Sequence, residues 1–139
     1  MALGSFAAQA DQTIKIGFIT SYSGLNGNLG PYMEKAARLY MKQHEKDLPK
    51  GTKVELLVRD DTGTNPDKAK QLAQELIVRD RVDILAGFVL TPNALAAGDV
   101  SAEAKKFMVV MNAATSIVTT KSPFMIRTSV TLPQVAETF

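Results

Sequence analysis

From Thr13 to Thr20 the chain reads Thr-Ile-Lys-Ile-Gly-Phe-Ile-Thr, a run rich in β-branched and aromatic residues that predicts a strand. A glycine-containing loop follows, and Pro31 opens a stretch to about Glu45 whose apolar positions, Ala36, Ala37, Leu39 and Tyr40, predict a helix. Val54, Leu56 and Val58 then alternate with Lys53, Glu55 and Arg59, and only Leu57 breaks the period of a strand with one wet face. That pattern places the second strand at a sheet edge. Asn65-Pro66-Asp67 supplies an N-cap, a first-turn proline and an early acid, three agreeing signals of a helix start. Behind it Ala69, Leu72, Ala73, Leu76 and Ile77 recur at helical spacing as one stripe.

The alternation continues. Asp83 to Gly87 is a short strand, and an alanine-rich helix runs from Pro92 to about Lys105 with Thr91 as its cap. Phe107 to Met111 is apolar without interruption, which predicts a strand covered on both faces. Phe124 to Arg127 reads as a last short strand, after which Thr131 and Pro133 begin a further helix. Such β-α-β-α alternation implies a doubly wound α/β fold: a parallel sheet with helices on both faces and right-handed crossovers. With the second strand at the edge and the fourth inside, the natural strand order is 2-1-3-4-5.

Composition excludes several classes of function. The 139 residues suffice for one domain, and 16 basic against 14 acidic residues are scattered without the basic stripe that follows a phosphate backbone, so nucleic acid is not expected as a partner. With no cysteine there are no disulfides, thiolate metal sites or cysteine nucleophiles. No run approaches the roughly 20 apolar residues that span a bilayer. Residues 1–10 end in Ala8-Gln9-Ala10, a small-x-small pattern that a signal peptidase accepts. They read equally well as the tail of a secretion signal or as a flexible extension, which leaves residues 11–139 as one α/β lobe ending inside a helix.

In an open parallel sheet the ligand crevice lies beyond the carboxyl ends of the strands, where the strand order reverses. For order 2-1-3 that point falls between strands one and three. Ser21, Tyr22, Ser23 and Gly24 follow strand one, Phe88 to Thr91 follow strand three, and Asn112 to Ser116 follow strand four. This rim is rich in hydroxyls and amides but holds no histidine, acid pair or lysine. It can grip a ligand and has little for acid-base or nucleophilic catalysis. The amino end of the helix at Pro92 favours a carboxylate, with the Thr91 and Thr115 hydroxyls beside it and Leu29, Tyr22, Phe88 and Leu90 as an apolar wall. Taken singly, Thr91 is a helix cap, Thr115 a turn residue, and each apolar residue ordinary packing.

Asp60 and Asp61 read as strand-ending turn formers, and His44 as a solvated helix residue. Gly24, Gly27 and Gly30 outline a dinucleotide-binding loop, yet their spacing is G-x-x-G-x-x-G, not the G-x-G-x-x-G of a tight phosphate turn. A nucleotide-binding enzyme is therefore the weaker alternative, and no cofactor or metal is expected.

Ile14-Lys15-Ile16-Gly17-Phe18-Ile19 with Ser23-Gly24 and Gly30 resembles the opening of the branched-chain amino-acid-type solute-binding proteins of ABC transporters. Asp60-Asp61-Thr62 with Asn65-Pro66-Asp67, Ile84-Leu85-Ala86-Gly87 with Thr91, and Asn112-Ala113-Ala114-Thr115 extend the resemblance to the last residue. It implies the first lobe of a periplasmic, two-lobed carrier that closes on a small solute and passes it to a membrane permease, with no enzymatic chemistry. By position it implies a hydroxyl contact at Thr91, backbone and hydroxyl contacts at Ala113 and Thr115, and pocket walls at Leu29 and Leu90. Leu25 stands where the family commonly has proline, Thr91 replaces its usual serine, and Pro92 removes an N–H. Amino acids, aromatic or aliphatic acids, amides and urea all stay open as solutes. A sensor domain of a receptor or regulator is the alternative role for such a lobe. An uncovered lobe surface also implies self-association.

Overall fold

The computed structural model describes residues 11–138, so the Ala8-Gln9-Ala10 pattern lies outside the described residues. A five-stranded parallel sheet of order β2-β1-β3-β4-β5 runs through the molecule, formed by β1 (Gln12–Thr20), β2 (Thr52–Asp60), β3 (Ile84–Gly87), β4 (Phe107–Val110) and β5 (Met125–Arg127). The helices are α1 (Leu29–Gln43), α2 (Pro66–Gln74), α3 (Thr91–Glu103), α4 (Ile117–Thr120) and α5 (Leu132–Ala136). The predicted order and fold class hold, and β2 is the edge strand that its wet Lys53 and Glu55 require. The short α4, between β4 and β5, has no counterpart in the sequence pattern described above.

Local signals act where expected. The Asn65 side chain accepts the Lys68 N–H at 3.0 Å with Pro66 at the first helical position. Thr131 and Gln134 form a reciprocal capping box around the start of α5. After α2 the helix widens into a π turn, Glu75–Arg79, which keeps Leu76 fully buried while Val78 turns out to 75% exposure.

The register shows where the core sits. Ile19, Leu85, Met108, Val110 and Met125 point to one face and join Leu72, Ala73 and Leu76 of α2, Ala94, Ala97 and Val100 of α3, and Val118 of α4 in one buried cluster. The opposite face carries Ile16, Ile84, Phe107, Val109 and Ile126, and α1 meets it near Thr20, whose hydroxyl lies 3.7 Å from Met33 Sδ. Two expectations are corrected here. Phe107 is 56% exposed, so β4 is not covered on both faces, and Leu39 and Tyr40 of α1 also lie open. The reason is packing: among the described residues α2, α3 and α4 contribute to the cluster on one face, and α1 contributes nothing to it. A hollow of about 460 Å³ lined by Tyr40, His44, Leu48 and Val54 belongs to this open side, at the amino end of β2.

Candidate functional site

Three strand ends are tied together at the point where the strand order reverses, beside β1 and β3. The Phe88 N–H donates to the Ile19 carbonyl at 2.7 Å, Met111 N–H to Gly87 at 2.8 Å, and Ala113 N–H to Phe88 at 3.2 Å. Gly87 takes φ 111, and a Cβ there would collide with the Ile19 carbonyl oxygen. The next residue, Phe88, holds φ 65, a left-handed conformation that costs an aromatic residue about 1–3 kcal/mol and persists only where surroundings enforce it. Complete burial and two backbone hydrogen bonds do so. Phe88 is thus core and not the crevice wall suggested by its place in the sequence.

The bend brings two hydroxyls together: Thr91 Oγ1 lies 2.9 Å from Thr115 Oγ1. The helix cap expected at Thr91 is not formed, because α3 begins at Thr91 itself, the cap position falls on the extended Leu90, and no side chain caps the first turn. The Thr91 hydroxyl is left to face the neighbouring loop. The N–H groups of Thr91 and Asn93 have no intrahelical acceptor, and Pro92 has none to offer. Thr115 is fixed from behind, where Arg127 Nη1 donates to its carbonyl at 2.9 Å. Ala113 is buried with its N–H committed to Phe88, leaving its carbonyl as the group it can present. Leu29 and Leu90 are both half-buried, Leu29 as the first residue of α1.

The loop after β1 is tied to β2 and α1 by its own side chains. Ser23 Oγ donates to Asp60 Oδ2 at 2.6 Å and the Tyr22 N–H to Asp60 Oδ1 at 2.9 Å. The Tyr22 hydroxyl donates to Glu34, which also receives Arg38 Nε at 2.6 Å, so the ring is anchored on α1. Burial and the Glu34 carboxylate hold the Tyr22 phenol well above its ordinary value. The Tyr22 hydroxyl and the Arg38 guanidinium in turn lower the Glu34 carboxyl. Burial pushes Asp60 up, but donation from Ser23, Tyr22 and Thr62 outweighs it and leaves the carboxyl below its usual value.

Asp61, the second acid, is wholly buried just behind the rim. It accepts Ser21 Oγ at 2.7 Å, the Gly63 N–H at 3.2 Å and Asn93 Nδ2 at 2.7 Å. An acid pair therefore does stand beside the crevice, where the sequence pattern shows none on the rim. Each of the two carboxylates accepts three hydrogen bonds from protein donors, which tie it to the loops around it. The sequence marks Asp61 only as a turn former. It gives no sign of Asn93, an amide in an alanine-rich helix, or of Arg127, which reads as an ordinary strand end. Among the described residues no group of three or more His, Asp or Glu side chains gathers as a metal site.

Residues 13–139 match the periplasmic binding protein family. The chain is 41% identical over 130 residues to Leu/Ile/Val-binding protein homolog 6 of Brucella abortus, covering 94% of this chain and 33% of that protein. Its fold is similar to an ABC-transporter solute-binding protein from Rhodopseudomonas palustris BisB5 in complex with 3,4-dihydroxybenzoic acid, with TM-score 0.82, 45% identity and coverage of 88% of this chain and 33% of that one. A second R. palustris solute-binding protein, in complex with 4-hydroxybenzoate, gives TM-score 0.80 and 41% identity over 91% of this chain and 36% of that one. The chain spans about a third of the length of these relatives.

Proposed function

The chain belongs to the periplasmic binding protein family, and from that premise we propose that residues 11–139 are the first α/β lobe of the solute-binding component of an ABC importer. In the longer protein a second lobe closes over the rim, and the loaded carrier docks on a membrane permease in the periplasm, reached through a signal peptide of which residues 1–10 are the tail. The solute is a small molecule with a carboxylate. The Thr91–Thr115 pair offers a hydroxyl to that carboxylate, with the Thr91 N–H at the start of α3 beside it. The Ala113 carbonyl accepts from the solute, and Leu29 and Leu90 wall it. Tyr22 and Ser23 shape the loop from outside, since their polar atoms are engaged by Glu34 and Asp60.

The meeting of the Thr91 and Thr115 hydroxyls at the sheet's switch point is the observation that carries this reading. Among the described residues the acids beside that rim, Asp60 and Asp61, are each held by three protein donors, which fits a structural role better than a catalytic one. The role is therefore capture and hand-over. Closure stabilises the shut form by adding contacts from the second lobe, so one lobe alone leaves its crevice open to water. The open face around Phe107 and Ile126 supports self-association when this lobe stands by itself.

Calorimetric titration of the full-length protein with 4-hydroxybenzoate, 3,4-dihydroxybenzoate, leucine and neutral 4-hydroxybenzamide tests the reading. Saturable binding of one of the acids, with none of the amide, is expected. Equal affinity of the isolated lobe and the whole protein would overturn the two-lobe clamp, and preference for the amide would overturn the carboxylate site.

A further inference from the structure

Among the described residues the buried carboxylate of Asp61 forms no ion pair. Its neighbours are a hydroxyl, a backbone N–H and a side-chain amide, each from a different segment: Ser21 from the loop after β1, Gly63 from the turn after β2, and Asn93 from the first turn of α3. Asn93, equally buried, completes the junction, since its Oδ1 accepts the Asn65 N–H at 3.0 Å and its Nδ2 also donates to the Gly63 carbonyl at 2.7 Å. Every polar atom of the two side chains is used. Such a fully satisfied buried network rigidifies what it touches. What it touches is the support of the rim: Ser21 leads into the β1 loop, and Asn93 lies two residues after Thr91.

We propose that Asp61 and Asn93 are positioning residues that fix the β1 loop and the start of α3 relative to each other, so that Thr91 stands against Thr115 before any solute arrives. Neither side chain reaches the solute; both act through the segments they join. The inference rests on the solute site proposed above for its functional meaning, while the geometry that it describes does not.

The donor and acceptor pattern supplies a test by exchange. In Asp61→Asn the new amide faces the amide of Asn93, donor against donor. In Asn93→Asp two carboxylates face each other. The double variant restores a matched pair with the two groups swapped. The amide now at position 61 accepts from Ser21 and Gly63 and donates to the carboxylate now at position 93, which also accepts the Asn65 N–H. The bond to the Gly63 carbonyl is lost and that carbonyl now faces a carboxylate oxygen, so the exchange restores the junction only in part. Amide hydrogen exchange on the full-length protein, followed over residues 20–24, 61–65 and 88–94, should rise about tenfold or more in each single variant while β3 and β4 stay protected. Affinity for 4-hydroxybenzoate should fall by about tenfold or more in each, the scale of losing one hydrogen bond to a charged group. The double variant should recover part of both properties, with exchange and affinity nearer the unaltered protein than in either single variant.

Unchanged exchange in the single variants would overturn the proposal. So would a double variant no better than either single one, or exchange rising across β3 and β4 together with the loops, which marks a general loss of stability. If the unaltered protein failed to bind 4-hydroxybenzoate while loop exchange still rose and was rescued, the positioning role would stand and the solute would be the part that fails.

Discussion

The two rim threonines share one hydrogen bond, and that constrains what each can do for a solute. A hydroxyl has one proton to donate. At 2.9 Å one O–H of the pair is consumed between Thr91 and Thr115, so the pair offers a carboxylate a single O–H. The hydroxyl that donates outward makes a bond to a charged group, worth about 1.5–3 kcal/mol net, while its partner only orients it, for about 0.5–1.5 kcal/mol. Thr→Val substitution keeps the side-chain shape and removes the oxygen. In the full-length protein, one of Thr91→Val and Thr115→Val should therefore raise Kd by roughly 10- to 150-fold and the other by roughly 2- to 12-fold. The double variant should resemble the larger single effect, because removing the donor leaves nothing to orient. Calorimetry of all four proteins against the same acid measures this cycle, with melting temperatures as a check that each variant is folded. Losses that multiply in the double variant would refute the shared-proton argument, and no loss in either single variant would move the site off these hydroxyls.

Other consequences are independent of the solute. Leu76→Ala, in the π turn but facing the core, should destabilise by about 2–5 kcal/mol, whereas Val78→Ala should stay within about 0.5 kcal/mol; urea unfolding giving the reverse order would show the turn to be in another register. Glu34 has a folded-state pKa below its ordinary value of 4.5, so it contributes stability above that value and loses it as pH falls through the lower folded value. Asp60 acts in the same sense from 3.8. Urea midpoints measured from neutral to strongly acidic pH should therefore fall more for the unaltered chain than for Glu34→Gln, and parallel curves would contradict the Tyr22–Glu34–Arg38 linkage. Phe107→Asp should reduce self-association of the isolated lobe in sedimentation experiments, and unchanged association would place the contact away from the open sheet face.

The parts of this structure that were legible in the sequence are those written by local or strictly periodic physics. Asn65-Pro66-Asp67 specifies a helix start without reference to anything distant, and the alternation of Lys53, Val54, Glu55 and Leu56 reports an edge strand because only an edge tolerates that wet face. The left-handed Phe88 was not legible, since nothing in a Phe-Val-Leu string signals a conformation enforced by Ile19 and Ala113. Asn93 was missed for the same reason: its partners Asp61 and Asn65 lie a helix away in sequence. The open side of β4 was hidden for a different reason. An unbroken apolar run says that a strand wants cover on both faces, and it cannot say which residues provide it.

On the proposed reading the rim also limits the kind of solute that this lobe favours. Ser21, Ser23, Tyr22 and the Ala113 N–H are all committed within the protein and Asn93 is wholly buried, which leaves one threonine O–H, the Thr91 N–H and the Ala113 carbonyl. Those donors suit the two oxygens of a single carboxylate. A free amino acid brings an ammonium as well, whose three protons would find the Ala113 carbonyl and hydroxyl oxygens here but no unengaged carboxylate, because Asp61 is buried and Asp60 already accepts three protein hydrogen bonds. Leaving such a charge poorly paired in a closing, low-dielectric crevice is costly. A hydroxybenzoate presents no ammonium, and its ring can lie against Leu29 and Leu90. On the proposed reading, then, this half of the clamp is matched to an acid without a cationic end, and an amino acid would need an acidic side chain from the other half to bind as tightly.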